Sequence, residues 1–333
     1  MKILLYTEGE KLLHNSGLGK AIEHQKKALK ENGIPYTTDK NDDFDIVHIN
    51  FYGPKSYFFA KKAHKMGKKV VYHAHSTEED FRDGFFFSKA TSKLFKKWII
   101  KCYNLGDVII TPTPYSKRLL EGYGIKKPIY ALSNGIELDL FKKDKKARSK
   151  FLKKYNFSKE DKIVIAIGLY IERKGIIDFV ELAKRLPEYK FVWFGSSPLY
   201  LTTSKVRKAV NTKLPNLTFT GYVPQKEIKE ALNSCDLYVF PTYEETEGIP
   251  IIEACACETK ALIRDIPVFD DWLIDGKNVY KAKDINEFEK KIKRILNNEL
   301  PDLTKESYKV ASERDIKKVG KKLVEIYKKV LKS

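Results

Sequence analysis

Cysteine is scarce in this chain. There are four, Cys102, Cys235, Cys255 and Cys257, in 333 residues. Their spacing matches neither a zinc site nor a thiol–disulfide motif, and so few thiols over this length suit a reducing compartment. Long apolar runs are lacking too. No segment reaches the length that spans a bilayer, and the opening Met1-Lys2-Ile3-Leu4-Leu5-Tyr6-Thr7-Glu8 is too short an apolar run for a signal peptide. The expectation is a cytoplasmic protein whose membrane contact is at the surface. Acidic residues are in deficit, 44 against 63 Lys and Arg, for a net charge of +19. A field of that sign draws anions: nucleic acid, anionic lipid or phosphorylated substrates. No recognition motif for RNA or DNA accompanies it, so nucleic acid is not an expected partner. Low-complexity tracts and short repeats are absent.

What is present is apolar material for two cores: 42% hydrophobic and 12% aromatic residues, in a length that suits two domains. Short β-rich runs alternate with helical patterns. Strands are expected at 2–6, 45–49, 69–72, 108–111 and 129–132, with helices at 19–31, 56–65, 88–103 and 115–121 between them. That alternation implies a parallel sheet wrapped by helices on both faces. The stretch 141–162 is rich in Lys, Asp and Glu and marks a junction, with a helical pattern over 148–155. The alternation restarts with strands at 163–167, 191–194, 217–220, 237–240 and 261–263. Helices are expected at 176–185, 226–233, 250–256, 285–297 and 316–331. The fold class is therefore α/β, two doubly wound parallel-sheet domains facing a central cleft, the natural place for a ligand.

The most informative stretch is Phe240-Pro241-Thr242-Tyr243-Glu244-Glu245-Thr246-Glu247-Gly248-Ile249-Pro250-Ile251-Ile252-Glu253-Ala254. A buried strand ends, a turn carries three acids and a glycine, and Pro250 opens a helix where its missing N–H costs nothing. The N–H groups of Gly248 and Ile249 then face a crevice and suit phosphate or sugar oxygens. Glu245 and Glu253 can each accept two hydroxyl hydrogen bonds there; equally, they could only cap the helix and complement its dipole. A second strand runs into Gly168-Leu169-Tyr170-Ile171-Glu172-Arg173-Lys174-Gly175. Arg173 and Lys174 at such a loop can neutralise a departing diphosphate, or form an ordinary solvated basic loop.

In the first half, Asn15-Ser16-Gly17-Leu18-Gly19-Lys20 opens a helix with glycines that permit close backbone approach. His73 and His75, in Val70-Val71-Tyr72-His73-Ala74-His75-Ser76, share one side at the carboxyl end of a strand. Two histidines without a third ligand do not make a metal site; His75 is the candidate substrate contact. Gly84-Phe85-Phe86-Phe87-Ser88-Lys89 runs into a helix carrying Lys93, Lys96, Lys97 and Trp98. Three phenylalanines in a row are hard to bury together, and an aromatic wedge beside a cationic rim suits an anionic membrane surface. A core helix with a solvated lysine face is the competing reading.

Taken together, these motifs resemble glycosyltransferase family four, retaining enzymes of the GT-B fold, in the same order over almost the whole chain. The Glu245 to Glu253 spacing resembles the family's donor motif, and 168–175 its phosphate loop with Lys174 at the family's lysine. Ser133-Asn134-Gly135-Ile136 resembles its interdomain turn, and His75 its histidine near the transferred sugar. Gly17 and Gly19 fall in its glycine-rich loop. Ile46-Val47-His48-Ile49-Asn50, the run from His73 to Arg82 and Thr111-Pro112-Thr113-Pro114-Tyr115-Ser116-Lys117 are similar to bacterial glycolipid synthases. Two departures stand out. Leu169 takes the place of an arginine, and Thr246-Glu247 that of a glycine and an aromatic. The resemblance implies an acceptor-binding domain over 1–145, completed by a last helix at 315–333, and a nucleotide-sugar domain over 146–314. It implies transfer of glucose or galactose from a UDP-sugar to diacylglycerol or monoglucosyldiacylglycerol at the inner face of the cell membrane, with retention of configuration and no cofactor or obligatory metal. Glu253 would hold the donor ribose, Glu245 the sugar hydroxyls, and Arg173, Lys174 and the Gly248 and Ile249 amides the diphosphate. Gly17 and Gly168 would line the donor site, and His75 would donate a hydrogen bond to the sugar. Two other readings stay open: the same chemistry on a teichoic, capsular or soluble saccharide, and a non-enzymatic binder of anionic surfaces or nucleic acid that rests on charge alone.

Overall fold

The computed structural model describes residues 1–9, 16–82 and 88–332. Packing divides the chain into two compact units. One comprises Met1–Phe81, Ala90–Glu137 and Arg314–Ser333, the other Arg82–Lys89 and Leu138–Glu313. The division falls a few residues before the expected junction because 138–146 is tied to the second unit. Phe141 is fully buried, the Asp144 amide donates to Asn233 Oδ1 at 2.6 Å, and Asn233 Nδ2 donates to the Lys142 carbonyl at 3.2 Å.

In the first unit, strands β1 (Ile3–Tyr6), β2 (Tyr36–Thr37), β3 (Ile46–Ile49), β4 (Lys69–His73), β5 (Val108–Thr111) and β6 (Ile129–Ala131) form one parallel sheet in the order β2-β1-β3-β4-β5-β6. The sequences IVHI and VIIT of β3 and β5 are buried along their whole length. Burial along the whole strand, with only His48 and Thr111 polar in these two, is what a sheet covered on both faces requires. On one face lie the helices Pro54–Lys65 and Ser88–Tyr103, through Ala60, Ala63, Phe95, Ile99 and Cys102. On the other, Leu29 of the helix Gly17–Glu31 joins the stripe Val319, Leu323, Ile326, Tyr327 and Val330 of the last helix, Ile316–Lys332. That stripe has the three-and-four spacing of a core-facing helix. The last helix is thus a structural part of the first unit, entered where the Ile136 amide donates to the Arg314 carbonyl and the Ile316 amide to the Ile136 carbonyl.

The second unit repeats the architecture. Strands β7 (Ile163–Ile167), β8 (Lys190–Phe194), β9 (Leu217–Gly221), β10 (Leu237–Phe240), β11 (Ala261–Arg264) and β12 (Tyr280–Ala282) pair in parallel in the order β12-β11-β10-β7-β8-β9. Trp193, Phe191, Phe179, Val239 and Leu262 centre one core. The helix Ile249–Ala256 packs on the helix Thr304–Glu313.

The expected α/β class, with two doubly wound parallel sheets, is the observed one. The sequence patterns miss β2 and β12, short strands at one edge of each sheet. They also miss the helix Thr304–Glu313, whose buried face is carried largely by Thr304, Ser307 and Ala311 rather than by large apolar residues.

Candidate functional site

In a doubly wound sheet the ligand crevice opens at the carboxyl ends of the strands, where the strand order reverses. In the second unit that point lies between β7 and β10. The loop after β7 is Gly168 to Gly175, and the loop after β10 is Pro241 to Gly248. These are the two stretches the sequence singled out, and the sheet order brings them side by side.

They are joined by backbone contacts. The Tyr243 amide donates to the Arg173 carbonyl at 2.8 Å, and Thr242 Oγ1 lies 3.2 Å from the same carbonyl. Gly175 ends the short turn Glu172–Lys174 at φ 75°, and a Cβ there would stand 2.3 Å from the Pro241 carbonyl oxygen. The loops can approach this closely only with glycine at that position.

Three predicted side chains converge in the crevice. Lys174 Nζ pairs with Glu245 Oε1. Arg173 Nη1 donates to the Glu244 carbonyl at 2.6 Å and lies 3.9 Å from Glu245 Oε2. Thr242 Oγ1 donates to Glu245 Oε1 at 3.0 Å. The side chains of Arg173, Lys174 and Glu245 are 11%, 14% and 7% exposed. These are not solvated surface charges. They are shielded and fixed, so an anion entering beside them meets two cations that solvent screens little and that a single carboxylate, Glu245, offsets in part. Arg264, at the end of β11, supports the turn from behind. Its Nε donates to the Pro241 carbonyl at 2.9 Å, it pairs with Asp178, and its guanidinium stacks 3.9 Å from the Tyr243 ring. Sequence patterns gave no signal for Arg264, since its partners come from the loop after β10 and from the helix Ile176–Arg185, both distant in sequence.

Gly248, at φ 90°, precedes the helix Ile249–Ala256, and Pro250 occupies its first turn. By helix geometry the first amides have no carbonyl within the helix to bond, and the macrodipole adds partial positive charge. Glu253 lies on this helix and is fully buried. Gly168 follows β7, with its carbonyl accepting from Trp193 Nε1 at 2.9 Å. The crevice therefore combines two shielded cations, a helix amino end and a carboxylate. This suits a ligand with an anionic diphosphate and neighbouring hydroxyls.

In the first unit, Gly17 opens its helix behind Ser16, whose hydroxyl accepts the Gly19 amide at 3.2 Å. His75 follows the carboxyl end of β4 and is half-buried. Its ring stacks on His73 at 3.9 Å, with 9° between the planes, and its Nε2 bonds Asn50 Oδ1 at 3.0 Å. Burial pushes its pKa down to about 3. His73 is fully enclosed and held well below the ordinary histidine range by burial first and by its histidine neighbours second. His73 is therefore a core residue.

The expected lipid-facing set divides. Phe85, Phe86 and Phe87 lie outside the described residues. Lys93 and Lys97 are exposed, as is Leu94 between them at 68%. Trp98 departs from the expectation. Its indole N–H donates to the Tyr52 carbonyl at 2.6 Å and its ring packs 5.4 Å from Tyr57, so it faces the core. Lys96 is engaged as well, 3.3 Å from the buried Glu78 and 4.1 Å from the Tyr123 ring centroid. Tyr57 belongs to the neighbouring helix Pro54–Lys65, which exposes Lys55, Phe58 (66%), Lys61, Lys62 and Lys65. Two adjacent helices thus expose isolated apolar side chains among lysines. Among the described residues, no helix is long and apolar enough to cross a membrane, and no group of three His, Cys, Asp or Glu residues is arranged to hold a metal ion.

Residues 147–318 match the family described as "Glycosyl transferases group 1", and residues 24–140 match "Glycosyltransferase Family 4". The chain is 40% identical to the processive diacylglycerol alpha-glucosyltransferase of Acholeplasma laidlawii, over 100% of this chain and 99% of that one. Among solved structures, sucrose-phosphate synthase from Thermosynechococcus elongatus superposes with a TM-score of 0.82 at 15% identity, covering 99% of both chains. HepE of Anabaena, in complex with UDP-glucose, superposes at 0.75 and 15% identity over 99% of this chain and 100% of that one.

Proposed function

The chain belongs to the family 4 glycosyltransferases, and from that premise we propose that it transfers glucose or galactose from a UDP-sugar to diacylglycerol or monoglucosyldiacylglycerol with retention of configuration. The observation that carries the chemistry is the shielded Arg173–Lys174–Glu245 cluster beside the amino end of the helix Ile249–Ala256. The acceptor class is supported by whole-length likeness to a diacylglycerol glucosyltransferase.

In this reading the donor diphosphate brings two negative charges to the two cations and the Gly248 and Ile249 amides. Glu245 exchanges its cations for sugar hydroxyls, and Glu253 holds the ribose. The bond between the anomeric carbon and the β-phosphate oxygen breaks as charge builds on that oxygen. Interactions that strengthen with this charge lower the barrier. The acceptor hydroxyl forms its bond to the anomeric carbon on the face the phosphate leaves, and its proton passes to the departing phosphate. Cationic side chains thereby fill the role a divalent metal takes elsewhere, and no cofactor is needed.

For the acceptor, the exposed face of the helices Pro54–Lys65 and Ser88–Tyr103 is the membrane contact. Phe58 and Leu94 enter the interface while Lys55, Lys61, Lys93 and Lys97 meet anionic headgroups. That surface would be the inner face of the cell membrane. Replacing Phe58 and Leu94 together by serine removes two exposed side chains, so folding is expected to be unaffected. Sedimentation with vesicles containing phosphatidylglycerol should show binding weakened about tenfold. Unchanged sedimentation contradicts the assignment of this face. The activity itself is tested by incubating the protein with labelled UDP-glucose or UDP-galactose and diacylglycerol vesicles. Labelled glycolipid is expected, and none across the donor and acceptor panel counts against the reading.

A further inference from the structure

A chain of buried polar contacts runs through the first unit and ends on His75. The Tyr327 hydroxyl of the last helix lies 2.5 Å from His48 Nδ1, and His48 Nε2 lies 3.1 Å from His73 Nδ1. Gln25 Nε2 also reaches His73 Nδ1, at 2.9 Å. Gln25 and Asn50 share two hydrogen bonds: Gln25 Nε2 to Asn50 Oδ1 at 2.8 Å, and Asn50 Nδ2 to Gln25 Oε1 at 2.9 Å. Asn50 Oδ1 then faces His75 Nε2.

The proton positions in such a chain follow from consistency. His73 Nδ1 is a junction with two neighbours. Either it is bare and both His48 Nε2–H and the Gln25 amide donate to it, or it carries the proton and both neighbours accept. Mixed arrangements set two lone pairs, or two hydrogens, against each other in a buried site. In the first state Tyr327 donates its hydroxyl to His48 Nδ1, Asn50 presents its oxygen to His75, and His75 carries its proton on Nε2. In the second every donor and acceptor reverses, both amides turn over, and His75 carries its proton on Nδ1. Among the described residues His73 Nε2 has no partner. The first state therefore strands only a His73 N–H. The second strands the Tyr327 hydroxyl hydrogen, which has no other acceptor among the described residues, and leaves the bare His73 Nε2 unmatched too. An unmade buried hydrogen bond is costly, so the first state is favoured. Burial keeps the histidines neutral: His48, like His75, is pushed down to about 3.

We propose that Tyr327, His48, His73, Gln25 and Asn50 are positioning residues that hold His75 as its Nε2–H tautomer, so that Nδ1 is left as an acceptor for a sugar hydroxyl at the carboxyl end of β4. This rests on the reading of His75 as a sugar contact, and it reverses the donor role that the resemblance implied. It also gives the last helix a part in the sugar site that its packing alone would not.

The test is nitrogen NMR on protein labelled with 15N-histidine, which has six histidines to assign. In the intact chain His75 is expected to show a protonated Nε2 and a bare Nδ1. Tyr327→Phe removes only a hydroxyl, and should raise the share of the Nδ1–H form of His75 by on the order of tenfold. Gln25→Met cuts the chain in the middle and should do the same, with Tyr327→Phe then adding nothing. Thermal melting establishes that each variant is folded. A protonated Nδ1 in the intact chain, or a His75 spectrum unmoved by both variants, overturns the relay. His75→Ala separates the two claims. If it transfers sugar at the original rate, the sugar-contact reading fails and the acceptor role with it, whatever the tautomers show.

Discussion

Replacing Lys174 by methionine is expected to lower the rate of sugar transfer about a thousandfold, the scale for removing one preorganised charge from a developing anion. Lys174 is 14% exposed and paired with Glu245, so the substitution also strands a carboxylate that is 7% exposed. Removing one partner of such a pair costs about 3 kcal/mol of stability. Lost activity could then reflect lost folding, and a second variant separates the two. Lys174→Met combined with Glu245→Gln removes the stranded charge while Thr242 Oγ1 can still bond the amide. Its melting temperature should return close to the original, but its activity should not. Turnover that recovers along with the melting temperature would show that the lysine acts only through folding.

Substituting Gly175 by alanine should have the second largest effect. The added Cβ would stand 2.3 Å from the Pro241 carbonyl oxygen, on a backbone at φ 75°. Both the clash and the left-handed backbone oppose it, and the atoms met, all of Pro241, are not the end of a flexible side chain. The expected cost is on the order of 3 kcal/mol, read as a lower urea midpoint. Because Gly175 joins the loops after β7 and β10, the protein that remains folded should also lose affinity for UDP. Gly276→Ala is the control for left-handed strain without a clash: φ is 70° there and nothing lies within 4 Å of its Cβ. It should cost less and leave UDP binding unchanged. Equal losses in the two variants would mean that close approach of the two loops is not what matters.

The parts legible in the sequence were those carried by local pattern. The helix Ile249–Ala256 announces itself through Gly248, Pro250 and apolar residues on either side of Glu253. β7 and β10 do so through continuous buried sequence. The pairing of Lys174 with Glu245 was not legible, because it depends on β10 lying beside β7 although two strands separate them in the chain. Arg264 was invisible for the same reason. Trp98 was assigned to the surface because interleaved aromatics and lysines do not reveal which side of a helix faces the sheet. The Tyr52 carbonyl decides it. The surroundings of His75 were beyond reach as well, since Asn50, Gln25 and Tyr327 are distant in sequence and come together only in the folded unit.

The account depends on a nucleoside diphosphate seated at the carboxyl ends of β7 and β10. Isothermal titration of UDP into the intact protein, and into the folded double variant lacking Lys174 and Glu245 charges, tests this most directly. Saturable binding at a single site is predicted for the intact chain, weakened by about 2 kcal/mol or more in the variant. Well-folded intact protein that takes up no UDP, or a variant that binds it equally well, would contradict the account.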